Sequence, residues 1–325
     1  MRAIVYTEYG SPDVLRYAEV AKPTPGDNEI LIKVRAASAN MLDWRLLRGK
    51  PVFMRLIIGG LRKPKITRPG RDVAGQVEAV GSNVTEFKAG DEVFGVCLGA
   101  FAEYVCARED KVALKAANIS FDEAAAVPVA ALTALQGIRD KGRIKPGQKV
   151  LIDGASGGVG TFAVQIAKAF GAEVTAVCST TKMDTARSIG ADHCIDYTQE
   201  DFTRSPERYD LIVAANAYHS IFDYRRALSR NGIYVMAGGG GVAQILQGML
   251  LGPLLSLFGS KKMRFFMANI NRKDLVFLDG LLASGKVVPV IDRRYPLSDA
   301  AEALRYLEEG HAGGKVVITL EGNKT

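Results

Sequence analysis

The chain has 325 residues, of which 48% are hydrophobic and 24% are charged. This length favours two domains of roughly 150 residues each, and the composition excludes collagen-like, low-complexity and wholly disordered chains. The 42 Lys and Arg against 35 Asp and Glu give a net charge of +7, which hints at an anionic partner. No basic run and no module of basic and aromatic residues accompanies that charge, so nucleic acid is not expected as a partner.

The cysteines and the N-terminus indicate a reducing compartment. The first residues, Met1–Tyr6, run directly into a strand-like alternation and show no signal peptide. The four cysteines form no CxxC pair and no Cys–His spacing suited to zinc. We therefore expect a cytoplasmic protein with unpaired thiols at Cys97, Cys106, Cys178 and Cys194.

The first 120 or so residues predict a β-rich domain. Short runs of Val and Ile alternate with Gly, Asn, Asp and Pro turns, which is typical of a barrel or sandwich rather than of βαβ units. The predicted strands are Ile30–Val34, Val73–Val80, Glu92–Val96 and Phe101–Val105.

After Phe121 the pattern changes to alternating strands and helices. Residues 122–141 have helical spacing, interrupted at Pro128, and the following segments predict a parallel, doubly wound sheet. A late strand-like run, Lys315–Leu320, is expected to return to the N-terminal domain. The predicted strands of the parallel sheet are Lys149–Asp153, Glu173–Cys178, His193–Ile195, Leu211–Val213 and Gly232–Met236, and its helices are Val159–Phe170 and Lys182–Ile189.

The most apolar segment is Val242–Phe258. Its two glutamines, its glycines and proline, and its modest length argue against a helix that spans a membrane. A buried helix or a subunit contact is the simplest interpretation. A role in lining a substrate pocket or in touching a membrane surface is the alternative.

The strongest local motif is a glycine loop between a strand and a helix. Gly154, Gly157 and Gly160 follow an apolar strand and open a helix, the arrangement in which backbone N–H groups and the helix dipole bind a pyrophosphate. A glycine-rich turn without a ligand is the alternative. The predicted dinucleotide contacts are Gly154, Ser156, Gly157, Gly158, Val159 and Gly160.

The residues at the end of the next strand indicate which dinucleotide binds. An NAD site usually has an acidic residue there, but this chain has no acid before Asp184. Ser179, Thr180 and Lys182 suit a 2′-phosphate instead, with the lysine as the positive charge. The sequence therefore predicts NADP(H), although Lys182 is also compatible with a solvated position in the first turn of a helix.

Several motifs in order resemble the medium-chain dehydrogenase/reductase superfamily. The match is to its zinc-free quinone oxidoreductase branch, which includes ζ-crystallin-like and reticulon-4-interacting-protein-like members. The resemblance covers nearly the whole chain. The segments that carry it are Ala36–Asp43, Gly70–Gly75, Gly90–Val93, Gly99–Tyr104, Gly154–Gly160, Gly190–His193, Asp196–Tyr197 and Gly313–Val317.

The resemblance implies an α/β architecture in which a central doubly wound Rossmann domain binds the cofactor. A GroES-like, β-rich catalytic domain is formed by both chain ends, with the active site in the cleft between the domains. The implied boundaries are 1–125 and 266–325 for the catalytic domain and 126–265 for the NADP(H)-binding domain. The implied reaction is hydride transfer from NADPH to a quinone or an α,β-unsaturated carbonyl, in a homodimer.

The positions of the zinc ligands in related enzymes are changed in this chain. Asn40 and Arg71 stand where zinc-dependent relatives have ligands, and Val96–Phe101 contains only Cys97 instead of a four-cysteine lobe. His193, His219 and His311 lie elsewhere. We therefore expect no metal site.

The resemblance also implies roles for individual residues. Asn40 and Asp43 are expected at the catalytic site, although Asp43 is equally compatible with a helix cap before Trp44. Tyr197 is expected at the 2′-phosphate, or else as an aromatic residue on an edge strand. Lys315 is expected near the cofactor, or else as a simple strand-start lysine. The nicotinamide half is expected near Thr133, Asn216 and the glycine run from Gly238 to Gly241.

Two other functions remain open on the sequence alone. One is an NADP-dependent enzyme of the alcohol dehydrogenase type that acts on another substrate. The other is a nucleotide-bound sensor or membrane-recruited scaffold with little turnover, because no tyrosine proton donor lies near Asn40 and the 242–258 segment is apolar.

Overall fold

A computed structural model describes residues 1–52, 55, 60–238, 241–257 and 259–320. The chain divides into two compact units. The first unit contains residues 1–129, 270–283 and 291–325, and the second contains residues 130–269 and 284–290. Among the described residues, the first unit contains a two-stranded and a seven-stranded sheet, and the second unit contains a six-stranded sheet.

Near Phe121 the structure changes, as predicted, from mainly strands to alternating strands and helices. A helix predicted over 122–141 is divided at Pro128, as expected, because proline cannot donate the next backbone hydrogen bond. A π-helix, Gln136–Lys141, continues the second half. As far as residue 135 the elements are β1 Arg2–Val5, β2 Arg16–Glu19, β3 Glu29–Ala39, α1 Met41–Arg48, β4 Asp72–Val80, β5 Glu92–Val96, β6 Tyr104–Arg108, β7 Val112–Leu114, α2 Phe121–Ala126 and α3 Pro128–Leu135.

The rest of the chain alternates between strands and helices as the sequence predicts. The elements are β8 Lys149–Asp153, α4 Gly158–Ala169, β9 Glu173–Cys178, α5 Met183–Ser188, β10 His193–Asp196, β11 Tyr209–Ala214, α6 Ile221–Ala227, β12 Leu228–Met236, α7 Val242–Leu257, β13 Lys262–Phe265, α8 Arg272–Ala283, β14 Ile291–Pro296, α9 Ala300–Glu308 and β15 Lys315–Thr319.

The first unit is built on a seven-stranded sheet. Its order is β14-β15-β3-β4-β5-β7, and β6 also pairs with β3. The long strand β3 is central because its Ile and Val side chains alternate into the core of this unit. The last strand, β15, pairs antiparallel with β3, so the expected return of the chain end to the N-terminal sheet is confirmed.

One strand begins three residues later in the structure than the sequence predicts. The sequence predicts Phe101–Val105, whereas the structure has β6 at Tyr104–Arg108. The Phe101 N–H donates to Pro69 O and the Phe101 carbonyl accepts from Ile4 N. These local bonds hold Phe101 in a loop, and pairing with β3 begins only after it.

The second unit contains a six-stranded, all-parallel sheet in the order β10-β9-β8-β11-β12-β13. The chain runs outward from β8 to β10 and then returns to the other side of β8 as β11. The order therefore reverses between β8 and β11, which is where ligands bind in such sheets. The predicted doubly wound sheet is confirmed.

The apolar segment forms α7, but it is not a buried helix. Gly248 and Gly252 are its only fully buried residues, and many of its aliphatic side chains are exposed. Phe258 lies outside the described residues. No helix in the described part of the chain is long and apolar enough to cross a membrane.

The central position of β15 in its sheet predicts that removal of this C-terminal strand prevents folding of the first unit. A chain that ends at Gly314 lacks the strand between β14 and β3, and we expect it to lose a folded first unit. A chain that ends at Leu320 keeps every β15 pairing and should fold normally. Trp44 is the only tryptophan and lies in α1, so its fluorescence reports on the first unit. Native Trp44 emission from the shorter chain would contradict the prediction.

Candidate active site

The glycine loop lies at the carboxyl edge of the parallel sheet. Ala214, at the end of β11, is in register with Asp153 on one side and with Met236 on the other. The ends of β8, β11 and β12 therefore lie side by side. The loops that follow these strands begin at Gly154, Ala215 and Ala237.

Two glycines of this loop are required by the close approach of other backbone. Gly154 has a φ of +79°, and a Cβ there would lie 2.6 Å from the Cβ of Asn216. A Cβ on Gly160 would lie 2.0 Å from the Gly154 carbonyl oxygen. By contrast, a Cβ on Gly157 would meet no atom closer than 3.6 Å, so the space beside Gly157 is open.

The loop ends at the N-terminus of α4. Gly157 is the N-cap, and the N–H groups of Gly158, Val159 and Gly160 belong to the first turn, where they have no acceptor within the helix. These N–H groups and the positive end of the helix dipole can bind a phosphate. Ser156 and Val159 are partly exposed beside them, so the predicted contacts are accessible. The geometry therefore fits the pyrophosphate of a dinucleotide.

The segment after β9 carries hydroxyl groups and a lysine. Ser179 is half-buried, and the Thr180 hydroxyl donates to the Asp196 carboxylate. The hydrogen bonds from Thr180 and Thr198 hold the pKa of Asp196 below its usual value. Asp196 therefore fixes Thr180 at the carboxyl edge, since β10 pairs with β9 in register.

Lys182 and Tyr197 both lie close to the end of β9. Lys182 follows Ser179 in a short 3-10 turn, and its N–H donates to the Ser179 carbonyl at 2.9 Å. Its ammonium has no ion pair or hydrogen bond with the residues that the structure describes. Tyr197 is 62% exposed, and its N–H donates to the carbonyl of Cys178 at the end of β9. Both side chains are thus available to a ligand.

The residues predicted at the nicotinamide half are also in the second unit. Asn216 N donates to the Asp153 carbonyl and Gly238 N donates to the Ala214 carbonyl, so both lie at the carboxyl edge. Thr133 is buried in α3. Of the predicted glycine run, Gly239 and Gly240 lie outside the described residues.

A buried hydrogen bond that the sequence did not indicate supports the start of the loop. The Tyr224 hydroxyl, on α6, donates to the Asp153 carboxylate, which immediately precedes Gly154. Burial raises the pKa of Asp153 to about 6, against the opposing effect of the Tyr224 hydrogen bond. Tyr224 stacks on Tyr234 with ring centroids 4.5 Å apart. This contact ties α6 to the end of β8.

In the first unit, a buried carboxylate gathers the predicted residues Asn40 and Lys315. Asp72 is fully buried and Lys315 is 3% exposed. The Asp72 Oδ2 atom accepts from Lys315 Nζ at 3.0 Å, from Asn40 Nδ2 at 2.9 Å and from Ser38 Oγ at 2.7 Å. Its Oδ1 atom accepts from Val129 N at 2.9 Å. We call Ser38, Asn40, Asp72 and Lys315 the Asp72 cluster.

The Asp72 cluster fixes the amide of Asn40 in one orientation. Lys315 Nζ donates to Asn40 Oδ1 at 2.8 Å, while Asn40 Nδ2 donates to Asp72. Turning the amide over would place two donors together and two acceptors together, so only one orientation is stable. The Lys315 ammonium has a third N–H beyond these two bonds. Asn40 is partly exposed, at the edge of this network.

Asp43 is not the N-cap of a helix beginning at Trp44, because α1 begins at Met41 and its N-cap is Asn40. Asp43 instead occupies the third helical position and completes a capping box with Asn40. It accepts from Asn40 N at 2.9 Å and from Gly70 N at 3.2 Å, so it closes the first turn of α1 and holds Asn40 in place. Burial raises the pKa of Asp43 to about 6, and the Asn40 N–H opposes this increase. The nearby charge of Asp72 raises the pKa further, while Arg71 and Lys315 lower it.

Sequence analysis did not identify Asp72, Ser38 or Asp153 as site residues. Asp72 lies within the Gly70–Gly75 motif, and the available signal was a charged residue directly before the apolar start of a strand, Val73–Gly75. Its partner, Lys315, is 243 residues away in the sequence. Among the described residues, no three His, Cys, Asp or Glu side chains are grouped as metal ligands would be.

The raised pKa of Asp43 predicts a pH-dependent stability of the first unit. The folded-state pKa of about 6 exceeds the ordinary value of 3.8, so folding favours the protonated form. The resulting stability is present below about pH 4 and is lost as the pH rises through 6. Asp43→Asn removes this dependence. The stability advantage of the wild type over Asp43→Asn should therefore shrink by roughly 2 kcal/mol between pH 4 and pH 7.

Urea unfolding followed by Trp44 fluorescence measures this difference, because Trp44 is next to Asp43 in α1. Asp153→Asn is a matched control, since Asp153 has a similarly raised pKa but lies in the second unit. It should leave the pH dependence reported by Trp44 unchanged. An Asp43→Asn variant with the wild-type pH dependence would contradict the prediction.

The Asp72 cluster predicts a second effect on stability. Lys315→Met leaves a buried carboxylate without its cation and should lower the unfolding free energy of the first unit by roughly 3–5 kcal/mol. Adding Asp72→Asn removes the unpaired charge, so the double variant should be more stable than Lys315→Met alone. Trp44-detected urea unfolding measures both. Lys33→Met, an exposed lysine on β3, is the control and should have little effect. A double variant less stable than Lys315→Met would refute the charge argument.

Comparisons with known proteins identify the family. Residues 26–117 match the alcohol dehydrogenase GroES-like domain, and residues 189–318 match the zinc-binding dehydrogenase domain. The chain is 39% identical to 2-methylene-furan-3-one reductase of Solanum lycopersicum, over 98% of this chain and 79% of the relative. It is 35% identical to the chloroplastic NADPH-dependent alkenal/one oxidoreductase of Arabidopsis thaliana, with the same coverage.

A solved structure gives the same result. The quinone oxidoreductase from Coxiella burnetii is similar with a TM-score of 0.86 and 30% identity, over 98% of this chain and 99% of that chain. The resemblance seen in the sequence motifs is therefore confirmed by whole-chain similarity. The chain belongs to the quinone oxidoreductase branch of the medium-chain dehydrogenase/reductase superfamily, a superfamily of oxidoreductases.

Proposed function

We propose that this chain is a zinc-independent, NADPH-dependent reductase that transfers hydride to a quinone or an α,β-unsaturated carbonyl. The observation that carries the proposal is the glycine loop at the N-terminus of α4, followed by a β9 end with hydroxyls and Lys182 instead of an acid. Similarity to an alkenal/one oxidoreductase named as NADPH-dependent and to a quinone oxidoreductase supports the substrate class.

The second unit is proposed as the cofactor domain. The N–H groups of Gly158, Val159 and Gly160 hold the pyrophosphate, and the open space beside Gly157 leaves room for it. Ser179, Thr180 and Lys182 bind the 2′-phosphate, and Tyr197 packs against it. Thr133, Asn216 and Gly238 contact the nicotinamide half. When bound, NADPH supplies the hydride.

The first unit is proposed as the catalytic domain. Asn40, held in one orientation by Lys315 and Asp72, orients the substrate or the nicotinamide. Lys315 places a positive charge close to Asn40, and its remaining N–H is the group proposed to donate to the cofactor. Asp43 acts by positioning Asn40, since both of its oxygens accept backbone N–H groups.

The donor groups support a reaction without zinc, although one matching domain description refers to zinc. Asn40 Oδ1 accepts from the Lys315 ammonium, and a cation so close to that oxygen opposes metal binding. Arg71, a second cation, stands where zinc-dependent relatives have a histidine. The Cys97 thiol is buried, and burial raises its pKa, which disfavours the thiolate that zinc requires.

The remaining expectations concern partners and location. We retain a homodimer, for which the unpaired edge of β13 in the parallel sheet offers a surface. We retain weak contact of residues 242–258 with a membrane surface, which the exposed aliphatic side chains of α7 support. We place the protein in the cytoplasm, a reducing compartment compatible with its four free cysteines.

Steady-state oxidation of NADPH with a panel of quinones and alkenals tests the proposed function. We expect turnover with at least one class, and activity that survives treatment with a metal chelator. Alcohols with NADP⁺ serve as the comparison, because an alcohol dehydrogenase would prefer them. Tight NADPH binding without turnover of any acceptor would refute the reductase proposal and favour a sensor.

The predicted 2′-phosphate site has its own test. Lys182→Ala removes the unpaired ammonium, and we expect the KM for NADPH to rise at least tenfold, since a hydrogen bond to a charged group contributes roughly 1.5–3 kcal/mol. The KM for NADH should stay nearly unchanged. Lys145→Ala, at an exposed lysine of the second unit outside the proposed site, is the control. An equal effect of Lys182→Ala on NADPH and NADH would count against a 2′-phosphate role.

A further inference from the structure

Helix α7 packs on the second unit through a face of small residues and a few aliphatic ones. A Cβ on Gly248 would lie 3.0 Å from the Met236 sulfur, and one on Gly252 would lie 3.2 Å from the Met263 carbonyl oxygen. The absence of side chains at these two positions lets the helix approach the sheet closely. Ile245, Leu251 and Leu255 complete this face against the core.

The opposite face of α7 is apolar and exposed along its whole length. Residues 242–257 contain no charged side chain, and their polar side chains are those of Gln244, Gln247 and Ser256. A contiguous exposed apolar surface of this kind is typical of an interaction site. Leu250 is 65% exposed and Leu257 is 75% exposed. We call this surface the α7 face; it consists of Val242, Leu246, Met249, Leu250, Leu254 and Leu257.

A group of cations lies at the C-terminal end of the same helix. Lys262 Nζ donates to the carbonyl of Ser256 on α7, and Lys261 Nζ donates to the carbonyl of Arg225. Burial lowers the pKa of Lys261, and the charges of Arg225 and Arg208 lower it further. These like charges therefore lie close to one another. We call Arg208, Arg225, Lys261 and Lys262 the basic end.

We propose that the α7 face and the basic end together dock the protein on the surface of an anionic lipid bilayer. Aliphatic side chains that enter the boundary between headgroups and acyl chains gain the energy of apolar burial, and adjacent cations are attracted to anionic headgroups. The basic end is complementary in charge to such a surface. A second copy docked through its own α7 is a poorer partner for the basic end, because residues 242–257 offer no acidic group to the cations.

This inference rests on the weak membrane contact proposed above and adds the charge of the surface and the residues that recognise it. Quinones and alkenals with long apolar chains dissolve in bilayers, so docking brings the enzyme to acceptors of that class. Docking leaves the chemistry unchanged, since no residue of the α7 face or the basic end belongs to the proposed cofactor or catalytic sites.

Co-sedimentation of the full chain with vesicles tests the docking. The probes are phosphatidylcholine vesicles with and without 30 mol% phosphatidylglycerol as the anionic lipid. We expect binding to the anionic vesicles that weakens at high salt. Leu250→Glu with Leu254→Glu should reduce this binding at least tenfold. Lys261→Gln with Lys262→Gln should reduce it by about fivefold per lysine, with little change on neutral vesicles.

Matched controls separate docking from general effects of charge. Val276→Glu places a carboxylate on another exposed apolar residue, on α8 of the first unit, and should leave binding unchanged. Lys33→Gln with Lys88→Gln removes two exposed lysines of the first unit and should also have little effect. NADPH oxidation with a water-soluble acceptor in the absence of lipid checks that each variant is folded. It also tests the reductase proposal independently of docking.

Two results would overturn the inference. One is wild-type protein that does not sediment with the anionic vesicles. The other is a dimer of the wild type that the Leu250→Glu, Leu254→Glu variant converts to monomer, as measured by light scattering. In that case the α7 face is covered by a second copy.

Discussion

The Asp72 carboxylate is the group on which the first unit most depends. It has no contact with water, and its oxygens accept from four donors on Ser38, Asn40, Val129 and Lys315. Removing a carboxylate and an ammonium from water is costly, and only a complete set of partners offsets that cost. The network joins β4, β3, the start of α3 and the last strand, so the chain ends and the candidate catalytic residue are fixed by one charge.

The buried Asp72 carboxylate also restricts the orientation of the Asn40 amide. Its amide is held by a cation at one end and a carboxylate at the other, so its orientation is set before any ligand binds. Asp43 fixes the backbone of the same residue through a buried carboxyl whose pKa is raised to about 6. Two acidic groups therefore position one amide, one through its side chain and one through its main chain. Preorganisation of this kind fixes the polar atoms of a site before any ligand binds.

In the second unit the dominant constraint is steric. Gly160 and Gly154 approach each other too closely for a side chain, which brings the first turn of α4 against the end of β8. The buried bond between Tyr224 and Asp153 supports the same point from α6. The N–H groups that can bind a phosphate are thus fixed by contacts among backbone atoms and buried groups. After β9, Thr180 is held by its hydrogen bond to Asp196, and the partly exposed Lys182 lies two residues further along the chain.

The features that the sequence determined by itself depend on residues that are close together in the chain. The strand and helix periods, the break at Pro128 and the glycine loop are recorded within a few neighbouring residues, so the fold class and the loop were predicted correctly. Only the tertiary structure decided that Asp72 meets Lys315, 243 residues away, because charge pairing depends on the register of β15 against β3. It also decided which face of α7 is buried, since aliphatic residues occur on both faces and no local pattern distinguishes the face that packs on the sheet from the face left exposed.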